Sequence, residues 1–95
     1  MSAGSEQESI IMYWRPGCGF CTSLAAGLQR AGIPFTTVNI WEVPEAAAFV
    51  RSVANGNEIV PTVRIGSRTL VNPSPREVLS VAQVEAPALV ADISL

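Results

Sequence analysis

Residues 10–21 of the chain read IIMYWRPGCGFC, and they carry the strongest indication of the fold. Its first five residues form a short, continuous apolar run, which is typical of a strand buried on both faces. Pro16 and Gly17 stop the run, and Cys18 and Cys21 follow at once, three positions apart. The pattern predicts a strand whose carboxyl end leads directly to a pair of thiols.

The residues after the thiols predict a helix and then a second strand. Cys21, Leu24 and Leu28 recur at helical spacing until Gly32 supplies a stop signal, and Cys18 falls at the start of the helix. Residues 35–40 are rich in β-branched side chains and follow a proline, so they predict a strand. A strand, a helix and a strand in succession favour a parallel pair of strands.

A second helix is predicted after Pro44, because proline suits the first turn of a helix. Asn55 and Gly56 supply its stop signal. One face of this helix is expected to be apolar, with the following members: Ala46, Phe49, Val50 and Val53.

A hairpin and a third helix complete the predicted order. Residues 62–65 and 69–71 are β-prone and flank the turn residues 66–68, which predicts an antiparallel pair. Ser74, Pro75 and Glu77 have the spacing of a capping box with proline at the first helical position. The helix is expected to end before Pro87 and to bury three residues: Val78, Val81 and Ala82. The order β-α-β-α-β-β-α predicts an α/β fold with a mixed four-stranded sheet and three helices.

Three segments are expected along the chain. Residues 1–9 are predicted to be a flexible N-terminal segment, residues 10–86 one domain, and residues 87–95 a C-terminal tail to which no element is assigned. The N-terminal segment has no basic residue and no apolar run of signal-peptide length, which favours a cytoplasmic protein. No apolar run approaches the roughly 18 residues of a membrane span, so no membrane is expected as a partner.

The composition excludes several classes of function. The formal net charge is −2, which argues against a nucleic-acid partner. The chain has no histidine and no lysine, so it lacks the commonest general base, the commonest zinc ligand and a Schiff-base or P-loop lysine. Two cysteines are too few for a secreted disulfide framework, and their spacing favours one local redox pair.

The position of Cys18 points to thiol chemistry. A thiolate at a helix N-terminus is stabilised by free backbone N–H groups and by the helix dipole, so the pKa of Cys18 is expected to be depressed. Arg15, three residues upstream, adds a positive charge that favours the same ionised form. Cys21 lies one turn further along the helix, where its sulfur is shielded. We therefore expect Cys18 to attack and Cys21 to be able to resolve a mixed disulfide.

Plainer interpretations remain open at this point. The two cysteines could form an inert structural disulfide or be two buried thiols, whereas a zinc site would need two further ligands. Arg15 could be a solvated charge, and Pro61 an ordinary proline at the start of a strand. Trp14 and Trp41 are interpreted as packing residues, and three glutamates are interpreted as surface residues: Glu42, Glu45 and Glu58.

Three motifs together resemble the glutaredoxin family, and within it the actinobacterial mycoredoxins. They are CGFC at residues 18–21 after an apolar strand, NGNEIVPTV at residues 55–63 and TLVNPS at residues 69–74. The resemblance extends over about residues 10–82. It implies a thioredoxin-like fold and a thiol-disulfide oxidoreductase.

The same resemblance assigns roles to individual residues. It makes Cys18 the nucleophile, Cys21 its partner and Pro61 a cis-proline, with the backbone of Val60 paired to the bound thiol. The full set of expected thiol-binding residues is Arg15, Gly19, Phe20, Val60, Pro61, Asn72, Pro73 and Ser74. Gly19 stands where many members have proline, and Asn72-Pro73 stands where they have a Gly-Gly turn that contacts the glutathione carboxylate.

The resemblance also implies a substrate and its partners. Mycoredoxins use mycothiol, a sugar-linked cysteine, so the expected activity is reduction of mycothiol mixed disulfides on proteins by a monothiol mechanism. No cofactor is expected to be bound, because NADPH acts through a separate mycothiol disulfide reductase, and the protein is expected to be a monomer. Two alternatives stay open: an iron-sulfur cluster shared between two subunits, and a dithiol electron donor reduced by thioredoxin reductase.

Overall fold

The computed structural model describes residues 8–94, so most of the predicted flexible segment 1–9 lies outside the described residues. The strands are β1 (Ile10–Trp14), β2 (Thr36–Asn39), β3 (Thr62–Ile65) and β4 (Arg68–Val71). The helices are α1 (Gly19–Ala31), α2 (Pro44–Val53) and α3 (Pro75–Glu85), followed by a short 3-10 helix at Pro87–Val90. The predicted order of strands and helices is confirmed.

The four strands form one mixed sheet in the order β2-β1-β3-β4. β1 runs parallel to β2, whereas β1 with β3 and β3 with β4 are antiparallel, as predicted. The turn between β3 and β4 is shorter than predicted, because Arg68 pairs with Ile65 instead of belonging to the turn. Gly66, at φ 56°, supplies the left-handed conformation that a two-residue hairpin turn requires.

The main hydrophobic core lies between the sheet and the two helices α1 and α3. Leu28 of α1, Val63 of β3 and Val78 of α3 are fully buried in it. The capping box predicted at the start of α3 is present. Val81 is only partly buried, and Leu79 joins the core beside Val78 and Ala82, which widens the predicted apolar stripe.

Helix α2 packs on the opposite face of the sheet, and the predicted apolar face is confirmed at Ala46 and Val50 but not at Val53. Its buried residues are Ala46, Ala47 and Val50, whereas Val53 is 36% exposed. Phe49 is only partly buried and lies against Tyr13 of β1, with ring centroids 5.2 Å apart. Alanines let a helix approach a sheet closely, so Ala46 and Ala47 lie inward beside the fully buried Val50, and Phe49 and Val53 remain more exposed.

Residues 87–94 are not left as an extended tail. Val90, in the 3-10 helix, is 3% exposed and belongs to the main core. The N–H of Ala88 donates to Oε1 of Glu8 at 3.1 Å, so a hydrogen bond connects this segment to the residues just before β1. Within residues 8–94, no helix is both long enough and apolar enough to cross a membrane.

Candidate active site

The loop between β1 and α1 places Cys18 at the N-terminal end of α1. Gly17 adopts φ 78°, a left-handed conformation that turns the chain from the strand into the helix at no steric cost. Cys18 is the N-cap of α1, with extended dihedral angles of φ −97° and ψ 101°. Its Sγ accepts a hydrogen bond from the N–H of Cys21 at 3.1 Å. A thiolate at this atom would therefore face a fixed donor and the positive end of the helix.

Cys18 and Cys21 form a disulfide, and their Cα atoms lie 5.2 Å apart. This separation is within the ordinary range for a disulfide, so closing and opening the bond needs little backbone movement. Cys21 is 3% exposed and faces the core, whereas Cys18 is half-buried and reaches the surface. Cys18 is therefore the cysteine more open to an external thiol or disulfide.

The segment before β3 lies against Cys18. The Val60-Pro61 peptide bond is cis, as the resemblance implies, and Sγ of Cys18 is 3.7 Å from the carbonyl oxygen of Val60. The bend is held by a hydrogen bond from Oγ1 of Thr62 to the carbonyl oxygen of Ile59 at 2.7 Å. The backbone of this segment therefore lies beside the sulfur to which a thiol compound would be joined.

Asn72 joins the site through Pro61. Its N–H donates to the carbonyl oxygen of Pro61 at 2.7 Å, and its φ of 52° is left-handed, which asparagine tolerates better than most residues. Pro73 is buried and Ser74 is exposed. The Oγ of Ser74 accepts from the N–H of Glu77 at 3.1 Å, and Oε1 of Glu77 accepts from the N–H of Ser74 at 2.8 Å. The capping box therefore uses these two donors at the start of α3 internally.

Arg15 lies beside the site and faces an aromatic ring. Its guanidinium carbon is 6.0 Å from the centre of the Trp41 ring, and its Nη1 donates to the carbonyl oxygen of Pro16 at 3.3 Å. The interpretation of Trp41 as a packing residue is wrong, because this side chain is 62% exposed. Trp14 does pack against the main core, although it is only partly buried.

Gly19 and Phe20, the residues between the cysteines, both face solvent. Gly19 is the first residue of α1, and a Cβ atom there would meet nothing within 4 Å. Packing does not require glycine at this position. The side chain of Phe20 is among the most exposed large apolar groups of the described residues, so it adds apolar surface next to Cys18.

A cavity of about 430 Å³ opens on the other side of Cys18, and the sequence analysis did not find it. Its wall is formed by α1, with Thr22, Ala25, Ala26 and Gln29, and by Thr37 of β2. These four α1 residues are three or four positions apart and have small or polar side chains. Such a pattern in the sequence could have indicated a helix face that no other element covers. Residues of β1, of the adjoining loop and of the first turn of α1 complete it: Met12, Trp14, Arg15, Gly17, Cys18 and Cys21.

Comparisons with known proteins agree with this site. The family model for glutaredoxin matches residues 10–70. Mycoredoxin 1 of Corynebacterium glutamicum is 37% identical over 80 residues, which span 83% of this chain and 96% of that protein. A Mycobacterium tuberculosis protein named as a glutaredoxin is 39% identical over 71 residues, which span 74% of this chain and 84% of that protein.

Solved structures show the same architecture. NrdH-redoxin of Escherichia coli superposes with a TM-score of 0.66 at 27% identity, over 77% of this chain and 93% of that chain. A glutaredoxin of Archaeoglobus fulgidus superposes with a TM-score of 0.67 at 19% identity, over 84% of this chain and 91% of that chain, which supports the fold alone. With a disulfide-forming Cys-x-x-Cys at the start of α1, the chain belongs to the glutaredoxin family of thiol-disulfide oxidoreductases and has the thioredoxin-like fold.

Proposed function

We propose that the protein reduces mixed disulfides between mycothiol and protein thiols, with Cys18 as the nucleophile of a monothiol mechanism. The observation that carries the proposal is the contrast between the two sulfurs. Cys18 is at the surface, at the N-cap of α1 and 3.1 Å from the N–H of Cys21, whereas Cys21 is buried. An accessible thiolate with a fixed hydrogen-bond donor is suited both to attack a disulfide and to leave from one.

The reaction needs two thiol exchanges. The Cys18 thiolate attacks the mycothiol sulfur of the mixed disulfide, so a Cys18-mycothiol disulfide forms while the protein thiolate leaves and takes up a proton. A second mycothiol, as its thiolate, then attacks the mycothiol sulfur on Cys18, which forms mycothiol disulfide and releases the Cys18 thiolate. Two electrons from NADPH, delivered by a separate mycothiol disulfide reductase, return that disulfide to two thiols. We place this cycle in the cytoplasm, where reductases keep thiols reduced.

The start of α3 favours mycothiol over glutathione. Glutathione carries two free carboxylates, and carboxylates bind well at helix N-termini. Here the N–H groups of Ser74 and Glu77 already donate within the capping box. In mycothiol the cysteine carboxyl group is joined to a sugar, so the molecule presents no carboxylate to these positions. The similarity to a protein named mycoredoxin 1 supports the same choice.

One observation favours a second candidate, a dithiol electron donor. NrdH-redoxin of Escherichia coli, which is 27% identical to this chain, is a glutaredoxin-like protein with a thioredoxin-like activity profile. Cys18 and Cys21 are also close enough to form a disulfide in this chain. A dithiol donor would pass through that disulfide in every cycle and would receive electrons from thioredoxin reductase.

Two cysteine variants separate the candidates. The assay follows NADPH oxidation with mycothiol, mycothiol disulfide reductase and a protein carrying a mycothiol mixed disulfide. We expect Cys18→Ser to abolish activity and Cys21→Ser to retain most of it, because the monothiol cycle does not use Cys21. Loss of activity in Cys21→Ser, together with reduction of the native protein by thioredoxin reductase, would favour the dithiol donor. A coloured dimer in protein prepared without oxygen would favour cluster binding instead.

A further inference from the structure

The cavity beside Cys18 is separate from the Val60-Pro61 segment. In the sheet order β2-β1-β3-β4, β2 and β3 lie on opposite sides of β1. The cavity is bounded by Thr37 of β2, whereas Val60 and Pro61 lead into β3. A molecule joined to the sulfur of Cys18 can therefore reach two different surfaces, one on each side of that sulfur.

The lining of the cavity combines one aromatic ring with small and polar side chains and one cation. Trp14 and Met12 supply apolar surface from β1, and among residues 8–94 Arg15 is the only charged residue that lines the cavity. Gln29 and Thr37 add an amide and a hydroxyl, neither of which makes a side-chain hydrogen bond to any residue within 8–94. Thr22 donates to the carbonyl oxygen of Cys18 at 3.3 Å, which leaves its oxygen free to accept.

This combination suits a neutral polyol better than an ion or a hydrocarbon. An aromatic face packs against the C–H groups of a sugar ring, while an amide and hydroxyls exchange hydrogen bonds with its hydroxyl groups. The cavity volume of about 430 Å³ lies in the range of small-molecule sites. An apolar side chain of a target protein would leave Gln29 and Thr37 without partners, so it fits the lining less well.

We propose that this cavity binds the sugar part of mycothiol while the mycothiol sulfur is bonded to Cys18. The inference rests on the proposed function, because it names where that substrate lies. Three residues then determine specificity for the sugar: Trp14, Gln29 and Thr37. They do not contribute to the binding of a thiol that carries no sugar.

The test uses two substrates on the same reporter protein. One mixed disulfide carries mycothiol, and the other carries N-acetylcysteine amide, which has the same thiol and amide but no sugar. The variants are Gln29→Leu and Thr37→Val, which keep side-chain size and remove hydrogen-bonding groups. Their matched controls are Gln83→Leu on α3 and Thr36→Val on β2, which are exposed and lie outside the cavity lining.

We expect each cavity variant to lower kcat/KM for the mycothiol substrate about fivefold, equivalent to about one neutral hydrogen bond, and to leave the sugarless substrate unchanged. The two controls should leave both substrates unchanged. If native protein does not prefer mycothiol over the sugarless thiol, the proposed function itself fails. If native protein prefers mycothiol and the cavity variants keep that preference, the proposed function stands and the cavity does not hold the sugar. An equal loss with both substrates would indicate contact with the reporter protein and would also overturn the inference.

Discussion

A methyl group added to Gly27 would lie 2.6 Å from the Cγ atom of Pro75. Gly27 is buried in the middle of α1, and Pro75 is the first residue of α3. Carbon atoms in van der Waals contact are about 3.5–4.0 Å apart, so only glycine allows the two helices to approach this closely. The contact fixes the start of α3 against the helix that carries Cys18.

Gly27→Ala should destabilise the protein even though alanine favours helix formation. We expect the free energy of unfolding to fall by about 1–2 kcal/mol, because the cost of overpacking exceeds the gain in helix propensity. Urea denaturation followed by circular dichroism measures the change. Gly19→Ala is the matched control, since the added methyl group meets nothing within 4 Å and should leave stability unchanged or slightly higher. Equal stabilities for the two variants would show that α3 moves away from α1 at little cost.

Replacing Arg15 should make the active thiol less acidic. Loss of the positive charge in Arg15→Gln is expected to raise the pKa of Cys18 in the reduced protein, because a nearby cation favours the thiolate. The pKa should stay below the roughly 8.5 of a free thiol, because the N–H of Cys21 and the helix N-terminus remain. Thiolate absorbance at 240 nm against pH gives both values. Arg30→Gln, in the last turn of α1, removes the same charge far from Cys18 and should change nothing.

Glu85 should make stability depend on pH on the acid side. Its carboxylate accepts hydrogen bonds from both Oγ and N–H of Ser67, and these bonds lower the pKa of Glu85 from its ordinary value of 4.5. A depressed carboxyl pKa contributes stability above the unfolded-state value and loses it as pH falls through the folded-state value. Tm of Glu85→Gln should therefore lie below that of the native protein at neutral pH, with the difference shrinking as pH falls below 4.5.

A second variant tests whether this effect comes from the Ser67 bonds. Glu42→Gln changes the net charge equally, and its side chain makes no hydrogen bond within residues 8–94. A pH-dependent difference of the same size in Glu42→Gln would assign the effect to net charge and not to the hydrogen bonds of Glu85.

The 3-10 helix after α3 should contribute to stability through Val90. Because Val90 is 3% exposed, Val90→Ala should lower the free energy of unfolding by about 1–3 kcal/mol. Val84→Ala is the matched control on α3, where the valine is 75% exposed, and should change stability by less than about 0.5 kcal/mol. If both substitutions had the same small effect, residues 87–94 would not be part of the cooperative fold.

Prediction from sequence worked wherever the determining contacts are local. The apolar run of β1, the capping box of Ser74 and Glu77, and the place of Cys18 at the N-cap of α1 all depend on residues a few positions apart. Hydrogen bonds and dihedral preferences act at that range, so spacing alone predicts them. The family resemblance added what spacing does not contain, the cis bond before Pro61.

The remaining features were decided by how the elements pack. Which side of α2 is buried depends on how closely its alanines approach the sheet, and the exposure of Val53 follows from that packing. The exposure of Trp41 follows from the path of the chain after β2. The cavity exists because the α1 face carrying Gln29 lies beside Thr37 at the edge of the sheet, and no other element formed by residues 8–94 covers it. The spacing of apolar residues in the sequence indicates which residues share a face of a helix or strand. It does not indicate which face packs against another element. Residue order and spacing therefore predict the succession of elements and the reactive thiol. The surroundings of that thiol follow from packing, because those contacts join residues far apart in the chain.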